Sequence, residues 1–246
     1  VEATRDTFTN PAALFVHTGV PVMGVLPKLR RLRIDQKMPG RLAGSVSGRE
    51  ALETARRVYL TLVPREHTGN ARVIGITSAL PADGKTFISM LMGQVSAGMQ
   101  NKTLLIDADL RKPALHTRLG TDNATGLSNV LTGQAQPPEV IRPTDIANLA
   151  FMPSGPLPPN AADLLSGSQL YSLISVGQEV FDLMIIDGPP TMGLADAQLL
   201  GNAASASLFV VGSGDQRKGP LRAAVRRLAM ARVPLVGTVL TKFDFK

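Results

Sequence analysis

The chain has 246 residues, of which 44% are hydrophobic, and this is enough apolar material for the core of one sizeable α/β domain with a modest extension. It contains no cysteine, which excludes disulfides, zinc sites built on thiolates and cysteine nucleophiles. Lys and Arg number 26 against 19 Asp and Glu, and the formal net charge of +7 suits an acidic partner such as a nucleotide, a nucleic acid or an anionic lipid.

The first 48 residues are predicted to form a basic, juxtamembrane-like extension with one short strand at 22–26, because prolines interrupt their other apolar stretches. The basic residues here could lie against anionic headgroups, at roughly 1 kcal/mol each, or form a solvated surface. They are Lys28, Arg30, Arg31, Arg33, Lys37 and Arg41. No apolar run reaches about 18 residues, so we expect no membrane span within the chain, and its start at Val1 leads us to expect a fragment of a longer protein.

The remaining residues, 49–246, are predicted to form a single domain that opens with a helix over 49–62. Ser47 is expected to be the N-cap of this helix and Pro64 its stop. From Val73 onward short apolar runs alternate with helical patterns, which predicts an α/β fold with a mostly parallel sheet and helices on both faces. The predicted strands are 73–76, 103–106, 149–152, 183–186, 208–211 and 235–240. Ligands of such sheets bind beyond the carboxyl ends of the strands.

A loop with the composition of a phosphate-binding loop joins the predicted strand 73–76 to a predicted helix over 87–99. Backbone N–H groups and the positive end of that helix would face phosphate oxygens. Lys85 would add a point charge, Thr86 a hydroxyl for Mg²⁺, and Gly84 would let the backbone come close. Ala79 stands where the strict pattern has its first glycine, so an ordinary turn is the alternative for this loop alone. The predicted nucleotide-binding residues are Leu80, Pro81, Ala82, Asp83, Gly84, Lys85, Thr86 and Phe87.

Three aspartates follow two other predicted strands. Asp107 and Asp109 come after 103–106, and they would point to the same side if the strand continued through them. Paired carboxylates need a cation, for which Mg²⁺ on a nucleotide would serve, and one of them could accept a proton from an attacking hydroxyl or water. Asp187 ends the strand 183–186 in the form of a Walker B element. Each aspartate alone would more often be a turn or cap residue, but the three together with the loop favour a metal site.

These three elements, in this order, resemble the bacterial tyrosine kinases, or BY-kinases, within the deviant-Walker group of P-loop ATPases. Residues 78–86 look like the Walker A motif of that family, 107–113 like its Walker A′ and 187–190 like its Walker B. Residues 153–165 resemble its Gly-x-x-Pro-Pro-Asn segment, and 20–27 are similar to the stretch after the last transmembrane helix of polysaccharide co-polymerases.

The resemblance implies a Mg-ATP-dependent protein tyrosine (auto)kinase that regulates exopolysaccharide or capsule polymerisation and export at the cytoplasmic face of the bacterial inner membrane. It implies ATP and Mg²⁺ as cofactors, homo-oligomers such as rings, and a membrane-spanning co-polymerase segment or partner, with no nucleic acid. By the same resemblance Lys85 and Thr86 would bind phosphates and Mg²⁺. The metal and the incoming hydroxyl would be surrounded by Asp107, Asp109 and Asp187, and Arg111 would steady that loop or the phosphates.

Two departures from the family pattern leave alternatives open. The oligomerisation helix of the family has the form E-x-x-R-x-x-R, whereas Glu50, Glu53 and Arg56 place a glutamate in the middle. The family's substrate is a tyrosine-rich C-terminal tail, whereas this chain has only Tyr59 and Tyr171. A nucleotide-dependent oligomerisation switch with little or no kinase activity is therefore a second hypothesis. A partition-type ATPase is a third, disfavoured because the chain lacks the additional lysine those enzymes carry early in Walker A.

Two further patterns receive plainer interpretations. Residues 241–244 fit the [NT]-K-x-D pattern by which GTPases read guanine, but we interpret them as a strand end followed by an incidental charged tail. A basic helical face follows Gly214, and we interpret it as solvated surface, with anionic lipid or a neighbouring subunit as the sharper alternative. Its residues are Arg217, Lys218, Arg222, Arg226, Arg227 and Arg232.

Overall fold

A single sheet runs through the computed structural model, which describes residues 10–29, 42, 44–63, 72–192, 195–214 and 218–245. Within these ranges the sheet has eight strands in the order β1-β8-β7-β2-β6-β3-β5-β4. The strands are β1 (Val22–Pro27), β2 (Arg72–Ser78), β3 (Thr103–Asp107), β4 (Arg142–Pro143), β5 (Leu149–Met152), β6 (Leu183–Asp187), β7 (Ala206–Gly212) and β8 (Leu235–Phe243). All paired strands are parallel except β4 and β5.

Helices cover both faces of this sheet. They are α1 (Pro11–Thr18), α2 (Val46–Leu62), α3 (Lys85–Gly98), α4 (Leu115–Leu119), α5 (Leu127–Leu131), α6 (Pro137–Val140), α7 (Ala161–Ser166), α8 (Ser168–Val180), α9 (Asp196–Ala203) and α10 (Lys218–Met230). Successive side chains of the central strands point alternately to the two helix-covered faces of the sheet. In β3, Leu105 packs with α2 and α3, whereas Leu104 and Ile106 pack in the core under α5 and α8. The expected α/β architecture is confirmed.

The predicted strands are all present, and β1 takes a position that the sequence did not indicate. It pairs in parallel with β8, with Val22 opposite Thr238 and Pro27 opposite Phe243. The described part of the N-terminal segment therefore contributes an edge strand to the main sheet. The division at residue 48 stays a prediction. Most of the basic residues assigned to the extension lie outside the described part of the chain, namely Arg30, Arg31, Arg33, Lys37 and Arg41, as do Pro64 and Arg217.

The start of α2 differs from the prediction. Ser45 is the N-cap, because its backbone is extended and its side chain accepts a hydrogen bond from the N–H of Gly48 at 3.0 Å. The carbonyl of Ser45 also accepts the N–H of Arg49 at 3.0 Å, which closes the first helical turn. The helix therefore begins at Val46, and the expectation that Ser47 is the cap was wrong, since Ser47 lies inside the first turn.

The carboxyl ends of the central strands meet at one edge of the sheet. Asp187 at the end of β6 lies opposite Asp107 of β3 on one side and Ile76 of β2 on the other. The phosphate loop follows β2, so the three sequence elements of the predicted site are neighbours in space. Among the described helices none has both the length and the apolar composition that crossing a membrane requires.

Candidate nucleotide-binding site

A pocket of about 700 Å³ opens at this carboxyl edge, between the predicted phosphate loop and the ends of β1 and β8. Six of the eight predicted nucleotide-binding residues line it, namely Pro81, Ala82, Gly84, Lys85, Thr86 and Phe87. Asp109, Arg111 and Lys112 line it from the loop after β3. At the end of β1 and directly after it, the pocket is lined by Leu26, Pro27, Lys28 and Leu29, and from β8 it is lined by Thr241 and Lys242. Its volume is within the range of small-molecule sites.

The phosphate loop takes a shape that depends on backbone conformations rare for side-chain-bearing residues. Gly84 has φ +98°, and a Cβ at this position would lie 3.3 Å from the hydroxyl oxygen of Thr241. Ala82 also has a positive φ, of 64°. Gly84 is the N-cap of α3, which has no side-chain cap, so the first N–H groups of this 14-residue helix are available to an anion. Lys85 is the first residue of the helix and lines the same pocket.

Asp83 lies behind the loop and not in the pocket. It is 2% exposed, and its carboxylate accepts hydrogen bonds from the N–H of Leu80 at 3.0 Å and of Gly212, at the end of β7, at 3.3 Å. Its carbonyl oxygen accepts the hydroxyl of Thr241 at 2.6 Å. Neither Asp83 nor Leu80 lines the pocket, although the sequence grouped both with the nucleotide-binding residues. The structure places Asp83 where it fixes the shape of the loop.

Asp107 and Asp187 form a buried carboxylate pair that does not itself line the pocket. Asp109 lines the pocket, and its charge acts on both buried carboxylates. Oδ2 of Asp107 accepts the N–H groups of Ala114 at 3.1 Å and Leu115 at 2.9 Å. Asp187 accepts the hydroxyl of Ser89 at 2.8 Å and that of Thr86. The strand ends at Asp107, and the carboxylate of Asp109 accepts N–H groups in the following turn. The two carboxylates therefore do not project from one continuing strand as the alternation predicted.

The electrostatics of the pair favour a cation. Burial, followed by the charge of Asp187, raises the pKa of Asp107 to about 8. Burial also raises the pKa of Asp187 to about 6, although the hydroxyl of Thr86 and the charge of Lys85 oppose that rise. In addition, Oδ1 of Asp107 is buried and has no hydrogen-bond partner among the described residues. An unpartnered carboxylate oxygen next to a second carboxylate is an arrangement that fits a hard divalent cation.

The same residues do not form a complete metal site by themselves. Within the described parts of the chain, no group of three or more His, Cys, Asp or Glu side chains is arranged to hold a metal ion. Mg²⁺ normally takes one or two carboxylates and completes its shell with water and substrate phosphates. The arrangement of Asp107, Asp187 and the Thr86 hydroxyl therefore suits a Mg²⁺ ion that arrives with a nucleotide.

Arg111 is held by a residue that the sequence did not single out. Its guanidinium forms a bidentate ion pair with Asp196, with Nε 2.7 Å from Oδ2 and Nη2 3.1 Å from Oδ1. Asp196 is the first residue of α9, and its side chain is 1% exposed. The pair fastens the loop after β3 to the helix after β6. An acidic residue a few positions after the Walker B element was the available signal in the sequence.

Thr241 and Lys242 correct one sequence interpretation. They are part of β8, which runs to Phe243, and both line the pocket. The strand end that we expected within residues 241–244 includes both residues, whereas the predicted limit of the strand at 240 was three residues too early. Thr241 is buried, and its hydroxyl donates to the phosphate loop.

A phosphate loop at the start of a helix, facing acidic strand ends of a parallel sheet, defines a P-loop nucleotide-binding fold. No protein-family model matches the chain. The tyrosine-protein kinase YwqD of Bacillus subtilis is 38% identical over 165 residues, which are 67% of this chain and 70% of that protein. The chain belongs to the bacterial tyrosine kinases, and the expected family is confirmed.

Two other relatives agree with this assignment. The tyrosine-protein kinase wzc of Salmonella typhimurium is 32% identical over 194 residues, which are 79% of this chain but only 25% of that protein. The kinase domain of the Escherichia coli tyrosine kinase ETK superposes with a TM-score of 0.85 and 27% identity, covering 97% of this chain and 96% of that domain. The chain therefore spans about a quarter of the long relative and nearly all of a separate kinase domain.

Proposed function

We propose that this chain is a Mg-ATP-dependent protein tyrosine kinase domain that phosphorylates mainly the tail of a neighbouring copy. Its biological role would be the control of exopolysaccharide or capsule polymerisation and export at the cytoplasmic face of the bacterial inner membrane. The observation that carries the proposal is the convergence of Lys85, Thr86, Asp107, Asp109 and Asp187 at one sheet edge in a member of this family. The oligomerisation switch and the partition-type ATPase are not favoured, because the curated relatives are named tyrosine kinases.

The residues divide into three roles. Lys85 and the uncapped N–H groups of α3 bind the phosphates. Thr86, Asp107 and Asp187 would hold Mg²⁺ together with Asp109, and the ion would neutralise charge on the transferred phosphoryl group. Arg111, fixed by Asp196, keeps the loop after β3 in place.

Transfer itself requires little covalent chemistry from the protein. The acceptor tyrosine oxygen attacks the γ-phosphorus, the bond between this phosphorus and the bridging oxygen of ADP breaks, and ADP leaves. The carboxylate of Asp109 lines the pocket, so we assign Asp109 as the general base that accepts the proton of the incoming tyrosine hydroxyl. Positioning and charge neutralisation supply most of the rate enhancement.

Self-association and a membrane partner are part of the same proposal. The exposed side chains of Glu50, Glu53 and Arg56 recur every three residues on α2 and are available to a second copy. The membrane-spanning partner would be a co-polymerase segment or subunit.

The test is tyrosine labelling. The protein is incubated with Mg²⁺ and γ-labelled ATP, with a tyrosine-containing acidic peptide as acceptor. We expect phosphotyrosine on the peptide, and a loss of about 100-fold or more in Lys85→Ala. Lys102→Ala is the matched control, because Lys102 is an exposed lysine at the opposite, amino end of β3. Labelling of the peptide by the wild-type protein no greater than that by Lys85→Ala would refute the kinase activity.

A further inference from the structure

One edge of the sheet carries α1 and α10, and the described helices and strands of this edge include basic side chains but no acidic ones. Asp244 follows directly after the end of β8. Residues 10–29 and 218–243 contain seven Lys and Arg residues and no Asp or Glu, whereas the whole chain has 26 Lys and Arg and 19 Asp and Glu. These stretches include β1 and β8, and β7 beside them also lacks acidic residues. Positive charge on the outer face of α10 is therefore not compensated by the elements on which this helix packs.

The outer faces of the two helices also expose apolar side chains. The core beneath is formed by Leu14 of α1 with Leu221, Val225 and Leu228 of α10. Facing outward, Phe15 is 50% exposed, Val16 79% and Met230 83%. Single exposed apolar residues are common on protein surfaces, but here they occur beside the exposed basic residues of α10.

The topology places these features on one edge of the molecule. α1 leads directly into the amino end of β1, and α10 leads directly into the amino end of β8. Because β1 and β8 are parallel neighbours, the last turns of both helices lie near the same end of the sheet. We call the outer face of these helices the basic apolar surface. It consists of Phe15, Val16, Arg222, Arg226, Arg227, Met230 and Arg232.

We propose that the basic apolar surface binds the interface of an anionic lipid bilayer. Phe15, Val16 and Met230 would enter the boundary between headgroups and acyl chains, and the arginines would pair with anionic headgroups. A nucleic acid would use the arginines but give the exposed apolar side chains nothing to bury against. A second copy of the chain that met this surface with its own copy of the same surface would bring like charges together.

This orientation leaves the nucleotide site accessible. The last turns of α1 and α10 lie at the amino end of the sheet, whereas the pocket opens at its carboxyl end. A bilayer bound at this surface would therefore not cover the pocket. The inference does not depend on the kinase proposal, because it rests on a different surface.

Vesicle sedimentation tests the proposal with the full chain. Vesicles of phosphatidylcholine with about one third phosphatidylglycerol are compared with pure phosphatidylcholine, and the salt is raised from about 0.1 M to about 0.5 M. We expect binding to the anionic vesicles, weakened by salt. Arg226→Glu with Arg227→Glu should lower the partition coefficient by about 30-fold, on the scale of one basic contact for each arginine. Phe15→Ser with Met230→Ser should lower it by about 10-fold and keep the salt dependence.

The matched control is Arg57→Glu with Lys102→Glu, which makes the same change in net charge at exposed positions elsewhere. All of the substituted side chains are exposed, so the midpoints of urea unfolding should stay at the wild-type value. An equal loss in the control pair would overturn the proposal, since net charge alone would then explain binding. Binding to duplex DNA but not to vesicles would also overturn it. So would self-association, without vesicle binding, that the Phe15 and Met230 substitutions abolish.

Discussion

Asp107 and Asp187 are register partners on neighbouring strands, and both are almost fully buried. Burial raises both pKa values, with a contribution from the charge of Asp187 at Asp107 and from that of Asp109 at Asp187. The folded protein without a cation therefore binds more protons here than the unfolded chain does. A carboxylate whose pKa is raised on folding lowers the stability of the folded protein as the pH rises from its unfolded-state pKa to its folded-state pKa. For Asp107 this interval runs from 3.8 to about 8.

We therefore expect the free energy of unfolding of the metal-free wild-type protein to fall across this interval relative to that of Asp107→Asn. The asparagine can still accept the N–H groups of Ala114 and Leu115 through its oxygen, but it carries no charge. The variant should gain most over the wild type near pH 8 and least near pH 4. Urea unfolding without Mg²⁺ at several pH values measures this, with Asp145→Asn as the control at an exposed carboxylate outside the site. A constant difference between wild type and Asp107→Asn at all pH values would contradict it.

Local sequence indicated some of these residues and could not indicate others. The Gly84-Lys85-Thr86 triplet and the aspartates at strand ends are visible because a short segment defines them. Ser89, Asp196 and Thr241 act through partners that are 98, 85 and 158 residues away. No local pattern encodes such pairs, since the sheet brings them together.

At the scale of an element, the phosphate loop is held in shape by the strands around it. The hydroxyl of Ser78 donates to the carbonyl of Leu80 at 2.7 Å, and Thr191 donates to the carbonyl of Ser78. Asp83 then ties the loop to the end of β7, and Thr241 ties it to β8. These bonds join protein groups to one another, so the surrounding strands contribute to holding the loop in shape for phosphate binding.

This arrangement predicts that Thr241→Val weakens nucleotide binding although it leaves every pocket-facing charge in place. Losing the buried hydrogen bond to the Asp83 carbonyl should raise the Kd for Mg-ATP by about 10-fold. Thr241→Ser keeps the hydroxyl and should bind within about 3-fold of the wild type. Equilibrium dialysis with labelled ATP separates the two. Equal affinities of Thr241→Val and the wild type would show that the loop does not depend on β8.

The predicted strands and the helices predicted over 49–62 and 87–99 followed from periodicity, except at their ends, whereas α1 and β4 were not predicted. The end of β8 was misplaced because Thr241 and Lys242 are polar, which is typical of a surface segment. Pairing with β1, where Pro27 lies opposite Phe243, extends the strand through them. The start of α2 was misplaced because Ser45 and Ser47 are equally suitable caps by residue type, and only the backbone conformation distinguishes them.

At the scale of the whole molecule, strand order explains the site. β2 lies between β6 and β7, so the phosphate loop is next to the acidic end of β6 on one side and the end of β7 on the other. β1 and β8 extend the pocket wall beyond β7. The class of fold and the edge that carries the site could be predicted from alternating strands and helices. The strand order could not be predicted, and neither could the pairing of the N-terminal segment with β8, because hydrophobic periodicity identifies strands but does not show which strands pair.

The central claim is that Lys85 and the buried aspartates meet around one Mg-nucleotide, and calorimetric titration of ATP with and without Mg²⁺ tests it most directly. We predict saturable binding by the wild type that Mg²⁺ strengthens, loss of binding in Lys85→Ala, loss of the Mg²⁺ effect in Asp187→Asn, and wild-type behaviour in Lys102→Ala. Wild-type protein that releases no binding heat, or Lys85→Ala and Asp187→Asn proteins that bind Mg-ATP as the wild type does, would contradict the account.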